Sequence, residues 1–152
     1  MIEGVKVKKL KIIPDERGRL MEILRKDDSL FEAFGQVYMT TCKPGFVKAW
    51  HFHHLQCDNF TCVKGIIRLM LYDDREGSKT QGESAEFLIS LDDPMVVHIP
   101  KKVLHGFEAM GDEEAIVINT VTMPYNRAKP DEFRVDPFDN DIPVKWHGKK
   151  GW

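Results

Sequence analysis

This chain of 152 residues is short of several things, and each shortage excludes something. It has three cysteines, an odd number with no CxxC spacing, which argues against a disulfide framework and against a zinc–thiolate knuckle. They read as reduced, mostly buried thiols of a cytoplasmic protein, with a metal-bound Cys57 beside nearby histidines as the lesser alternative. No apolar run is long enough to span a bilayer, so no membrane partner is expected. The N-terminal MIEGVKVKKLKI lacks the apolar core and cleavage site of a secretion signal. No basic excess exists either. The formal net charge is -2, which supplies no overall field to draw in nucleic acid. Repeats, low-complexity tracts and long amphipathic helical stretches are also missing.

Short β-rich runs separated by turn clusters fill the space instead. VKVKKLKII, GRLMEILR, FGQVYMTTCK, VKAWHFHH, DNFTCVKG, IIRLMLYDD, AEFLISL, MVVHIP and AIVINTVT read as strands. PDERG, KPG, DDREGSKTQGE, DDP and GDEE read as turns. Without helices to cross over between parallel strands, the pattern is that of an antiparallel all-β sandwich or barrel. DDSLFEAF, from Asp27, has the acidic start and Asp cap of one short peripheral helix. With 42% hydrophobic and 30% charged residues, the chain suits one globular domain over 1–152. Its core would run from about residue 5 to 122. Residues 123–152, rich in Pro and Asp, read as an ordered tail over the barrel, anchored by Phe133, Phe138 and Trp146.

Chemistry concentrates between Gly45 and Gly65, where His51, His53 and His54 fall within four positions. Histidine serves both proton transfer and metal binding near neutral pH. On a regular strand His51 and His53 share a face, and His54, Lys48 and Trp50 point away from it; a bulge would change that. His105 lies before a Gly–Phe pair, and Asp58 begins a neighbouring strand. Together His51, His53, Asp58 and His105 make a possible N/O ligand set for a divalent metal. His54, His98 and His147 read as ordinary core or surface histidines.

Gly45, His51, His53, Asp58 and Gly65 resemble the first motif of the cupin superfamily, with Asp in place of Glu; Pro100 and His105 match part of its second motif. A closer resemblance covers nearly the whole chain and is to the dTDP-4-dehydrorhamnose 3,5-epimerase group within the cupins. It rests on Asp15–Glu22 (similar to DxRGxFxE), on Gln36, Tyr38 and Thr40 (QxNxS) and on Lys48–His53 (RGLHxQ). It continues through Ile99–Phe107 (IPxGxxHGF), Thr122–Tyr125 (TxYY) and Arg134–Trp146 (WxDPxxxIxW).

The resemblance implies a cupin jelly roll, a cofactor-free sugar-nucleotide epimerase or ketoisomerase, and a homodimer. It makes His51 the general base, Asp136 the acid that orients it, and Tyr125 the acid on the other ring face. Arg17, Glu22, Gln36, Lys48, His53, His105 and Asn119 become substrate-binding positions. The reaction is proton abstraction α to the ketone of a 4-keto-6-deoxy sugar nucleotide, for which a neutral imidazole is suited. Asp58 departs from the family, which carries a Lys there to stabilise the enolate. Either Lys48 compensates, or a metal held by His51, His53, Asp58 and His105 acts as Lewis acid. A metal-dependent cupin and a non-catalytic carbohydrate-binding cupin are the alternative functions.

Overall fold

The computed structural model describes residues 1–151. Thirteen strands and no helix occur among them. One sheet contains β1 (Lys6–Lys9), β4 (Gln36–Cys42), β6 (Asp58–Lys64), β9 (Met95–Ile99) and β11 (Ala115–Val121), in the order β1-β9-β6-β11-β4. The second contains β5 (Phe46–Phe52), β7 (Ile66–Tyr72), β8 (Ser84–Ser90), β10 (Leu104–Met110) and β12 (Phe133–Arg134), in the order β12-β5-β10-β7-β8. β13 (Lys150–Gly151) runs parallel beside β5. β2 (Ile12–Asp15) and β3 (Gly18–Met21) form a separate hairpin.

Alternation explains the layers. Phe60 and Cys62 on β6, Ile67, Leu69 and Leu71 on β7, and Phe107 and Ala109 on β10 point between the sheets and make the main core. Their neighbours point outward and need other cover. Outside the second sheet, Trp50, Met70 and Leu104 are covered by Val135, Ile142, Val144 and Trp146 of the tail. The tail is therefore a wrapped layer, held also by Glu108. That buried carboxylate accepts the backbone N–H groups of His147 and Gly148, both at 2.9 Å, and pairs with Arg68 at 2.9 Å. Outside the first sheet, Leu10, Leu30 and Val96 form a smaller cluster beneath the 22–35 loop.

Three expectations need correcting, and one strand adds to those expected. Asp27–Phe34 is a chain of turns, not a helix: the Asp28 carboxylate accepts the Arg25 N–H and pairs with Lys8, and Leu30 is drawn down onto Leu10 and Val96. The run from Val5 to Ile13 splits into β1 and β2. LHGFEAM is a full strand, β10, between β5 and β7. Phe138 is exposed and anchors nothing, whereas Phe133 stacks on Phe52 and Trp146 packs on Trp50.

Candidate active site

A cavity of about 480 Å³ opens between the two sheets at the end where β5, β6 and β10 meet the tail. Gln36, Tyr38 and Thr40 reach it as alternate residues of β4, so Val37 and Met39 face outward. β5 supplies Lys48 and His51, β6 supplies Asp58 and Phe60, and β10 supplies His105 and Phe107. Tyr125, Asp131, Glu132 and Arg134 close it from the tail.

Lys48 and His51 are three residues apart, yet both enter the cavity. The reason is a β-bulge: on β10 His105 pairs with His51 and Phe107 with Lys48, so three steps on β5 face two on β10. Gly106 sits opposite the bulge. A Cβ there would lie 2.2 Å from the Cβ of Ala49, so only glycine allows this approach. Lys48 thus leaves the face assigned to it by regular alternation, while Trp50 stays buried on the far side. The Lys48 ammonium donates to the Thr40 hydroxyl at 2.8 Å.

His53, Asp58 and His105 form a tight cluster. His105 donates Nδ1–H to the Val103 carbonyl at 3.0 Å, and His53 donates its own Nδ1–H to the Asp131 carbonyl. Both rings therefore turn Nε2 toward one oxygen of the buried Asp58, at 3.1 Å from His105 and 3.4 Å from His53. Burial alone would raise the Asp58 pKa, but the two imidazoles outweigh it and hold the carboxyl well below its usual range. Burial likewise opposes the charged form of His53, and the Asp58 and Asp131 carboxylates more than reverse this, so its pKa is raised. The Asp131 carboxylate also accepts the backbone N–H groups of His54, Leu55 and Gln56 at 2.8–3.1 Å, which clamps the turn after His53.

His51 differs. Burial, then the neighbouring His105, lowers its pKa to about 4, with Glu132 pulling weakly the other way. It is therefore a neutral imidazole at pH 7, with Nε2 4.0 Å from the Glu132 carboxylate. Tyr38, whose hydroxyl accepts the Asn119 amide at 2.8 Å, has its pKa pushed up by burial and by Asp58.

The structure brings His51, His53, His105, Lys48, Gln36 and Tyr125 to one cavity. Gln36 also accepts the Tyr125 N–H at 2.7 Å and so positions that segment. It does not bring Asp136 to His51. Asp136 is exposed and accepts the Phe138 and Asp139 N–H groups at 2.8 and 3.0 Å, because a carboxylate before a turn is used to cap it. The carboxylate beside His51 is Glu132. Asn119 is buried behind the cavity wall, its amide spent on the Asn59 N–H and the Tyr38 hydroxyl. Arg17 and Glu22 lie outside the cavity, paired with Asp15 and Arg25 at 2.9 Å each. The four-residue metal set reduces to three: the ligand atoms of His53, Asp58 and His105 lie within 4.8 Å of one another, and His51 is not among them. This trio fits a cation, whether protons or a divalent ion, since both imidazole nitrogens face one anionic oxygen. Asp131 and Glu132 had no sequence signal, being two more charges in an acidic tail; only the return of that tail to β5 gives them a role.

A two-sheet antiparallel barrel with a histidine cluster in its mouth is a cupin jelly roll. A family model described as dTDP-4-dehydrorhamnose 3,5-epimerase matches residues 1–151, and the chain belongs to that family. It is 42% identical over 147 residues to the spore coat polysaccharide biosynthesis protein SpsL of Bacillus subtilis, covering 97% of each chain. It is 42% identical over 140 residues to the probable low-salt glycan biosynthesis epimerase Agl13 of Haloferax volcanii, covering 91% of this chain and 89% of that one. Among solved structures, a dTDP sugar isomerase from Desulfovibrio desulfuricans G20 superposes with a TM-score of 0.90 at 34% identity, covering 97% of this chain and 93% of that chain. The chain is thus a sugar-nucleotide epimerase of the isomerase class.

Proposed function

We propose that the protein inverts a carbon α to the ketone of a 4-keto-6-deoxy sugar nucleotide, with His51 as general base and without a cofactor. The observation that carries this reading is the contrast between two imidazole environments in one cavity: His51 is held neutral by burial, while the His53 pKa is raised beside the buried Asp58 carboxylate, which His105 also faces. A neutral imidazole takes the C3 or C5 proton. The enolate oxygen that forms needs positive charge beside it. Asp58 is itself an anion and cannot supply it, but it favours the protonated form of His53, whose ring faces it. The His53–Asp58–His105 cluster so replaces the family's lysine. Tyr125 returns a proton from its own place on the cavity wall. Glu132 takes the orienting role first assigned to Asp136. Lys48 meets an anionic group of the substrate.

The same cluster supports a second reading, in which His53, Asp58 and His105 hold a divalent ion that polarises the ketone. One experiment separates the two. Exchange of substrate C3 and C5 hydrogens is followed in deuterated water, over a panel of 4-keto nucleotide sugars, with and without chelator. Chelator-resistant exchange that falls by about 10³-fold in His51→Asn is expected. Retained exchange in that variant sinks the reading of His51 as base, and loss with chelator favours the metal.

Residues 1–152 act here as one cupin unit, the tail beyond 123 completing a cavity built by the barrel. The protein works in the cytoplasm as a homodimer. Free, buried Cys42, Cys57 and Cys62 support the reducing compartment. Edge strand β4, with Val37 and Met39 exposed, and the separate β2–β3 hairpin support pairing between subunits.

A further inference from the structure

On the outer face of the first sheet, away from the catalytic cavity, three side chains of different chemistry converge. His98 lies on β9 with Val96, whose side chain packs under the 22–35 loop. Cys57 immediately precedes β6, and its N–H donates to the Thr122 hydroxyl at 2.8 Å. Glu32 comes down from the loop. The Glu32 carboxylate approaches His98 Nε2 at 3.3 Å and Cys57 Sγ at 3.5 Å. Cys57 and His98 are buried, while Glu32 is exposed.

The tautomer of His98 makes this more than a cluster. The Asn59 amide nitrogen donates to the Thr120 carbonyl at 2.8 Å, so its oxygen is the atom that faces His98 Nδ1, at 3.0 Å. Nδ1 therefore carries the hydrogen, and Nε2 presents a lone pair to a carboxylate. Two acceptors facing each other, one of them on a buried imidazole, call for a cation between them. The hydrogen bond from the far ring nitrogen to an amide oxygen is the arrangement that orients a metal-ligating histidine.

We propose that Cys57, His98 and Glu32 form a binding site for one divalent transition-metal ion of the zinc class, separate from the catalytic cavity. Thiolate, imidazole and carboxylate together select zinc or cobalt over magnesium or calcium. The ion displaces the Cys57 thiol proton to solvent. Three protein ligands leave a position for water on the exposed Glu32 side. Lys6 and Lys101 lie close enough to oppose a cation, so direct ligation must supply the binding. The ligands come from the 22–35 loop, the residue before β6, and β9, so the ion ties that loop to the sheet.

Titration of the full-length protein with Co²⁺ tests this. One cobalt per chain with a thiolate-to-cobalt charge-transfer band in the near ultraviolet is expected. In Cys57→Ser the band disappears and in His98→Gln affinity falls on the order of a hundredfold, while hydrogen exchange at the catalytic cavity is unchanged in both. Zn²⁺ should raise Tm in the wild type and not in Cys57→Ser. Absence of the band at saturating Co²⁺, or a band that survives Cys57→Ser, overturns the proposal. Cobalt taken up at His53, Asp58 and His105 gives no such band, so the two sites are told apart, and failure here leaves the epimerase reading untouched.

Discussion

At the scale of single residues, His51 and Asp58 pull protonation in opposite directions within one cavity. The folded His51 pKa of about 4 lies below its ordinary 6.5, so the unfolded chain takes up this proton first as pH falls. The stability tied to neutral His51 is whole above pH 6.5 and is lost as pH falls through 6.5 toward 4. Thermal unfolding of wild type and His51→Asn across this range should show the wild type losing about 3 kcal/mol relative to the variant. The same ionisation sets the acid limb of kcat/KM near pH 4. His53 has a raised pKa, so its contribution is whole below about 6.5 and is lost as pH rises through the folded value. Asp58→Asn removes the anion that raises the His53 pKa. Exchange should fall on the order of 10²-fold, and the alkaline limb of the pH–rate profile should move to lower pH. A profile unchanged in shape would show that Asp58 is only a packing residue.

Among the elements, the pairing of β5 with β10 decides the site. The HxH spacing already put His51 and His53 on one face. What alternation alone misplaced was Lys48. It assumes that every residue of β5 has one partner, and the bulge between Lys48 and His51 breaks that count. Gly106 carries the bulge, because any side chain there runs into Ala49. Gly106→Ala should destabilise the fold by about 3 kcal/mol in urea unfolding and lower exchange even where the protein remains folded, since His105 and Lys48 shift with it. The 27–34 segment shows the opposite failure. Its acidic start and spacing suit a helix, but Lys8 and the Leu10–Val96 patch compete for Asp28 and Leu30, and tertiary contacts win over weak local propensity.

For the whole molecule, the tail and the hairpin give the largest differences from expectation. The tail was legible as an ordered wrap from its recurring aromatics. That it delivers Asp131, Glu132 and Arg134 to the cavity, and keeps Asp136 out, follows only from its pairing with β5. Arg17 and Glu22 sit on or beside a hairpin outside their own chain's cavity. If they hold the sugar nucleotide, as the family resemblance implies, they do so in the cavity of a second subunit. Arg17→Ala and His51→Asn should each be inactive alone, and a refolded mixture should recover about a quarter of wild-type activity, because half the dimers carry one intact site. No recovery, with a dimer confirmed by light scattering, would return both residues to a structural role.

The sequence by itself determined the all-β class and the family, and it singled out His51 as the candidate base, because strand alternation and motif spacing are local properties of a chain. Tertiary structure decided which carboxylate stands beside His51, that Lys48 enters the cavity, and that Asp58 faces two imidazoles. Those outcomes depend on a bulge, a returning tail and a buried carboxylate's partners. Each is a contact between residues far apart in sequence, and no local pattern encodes it.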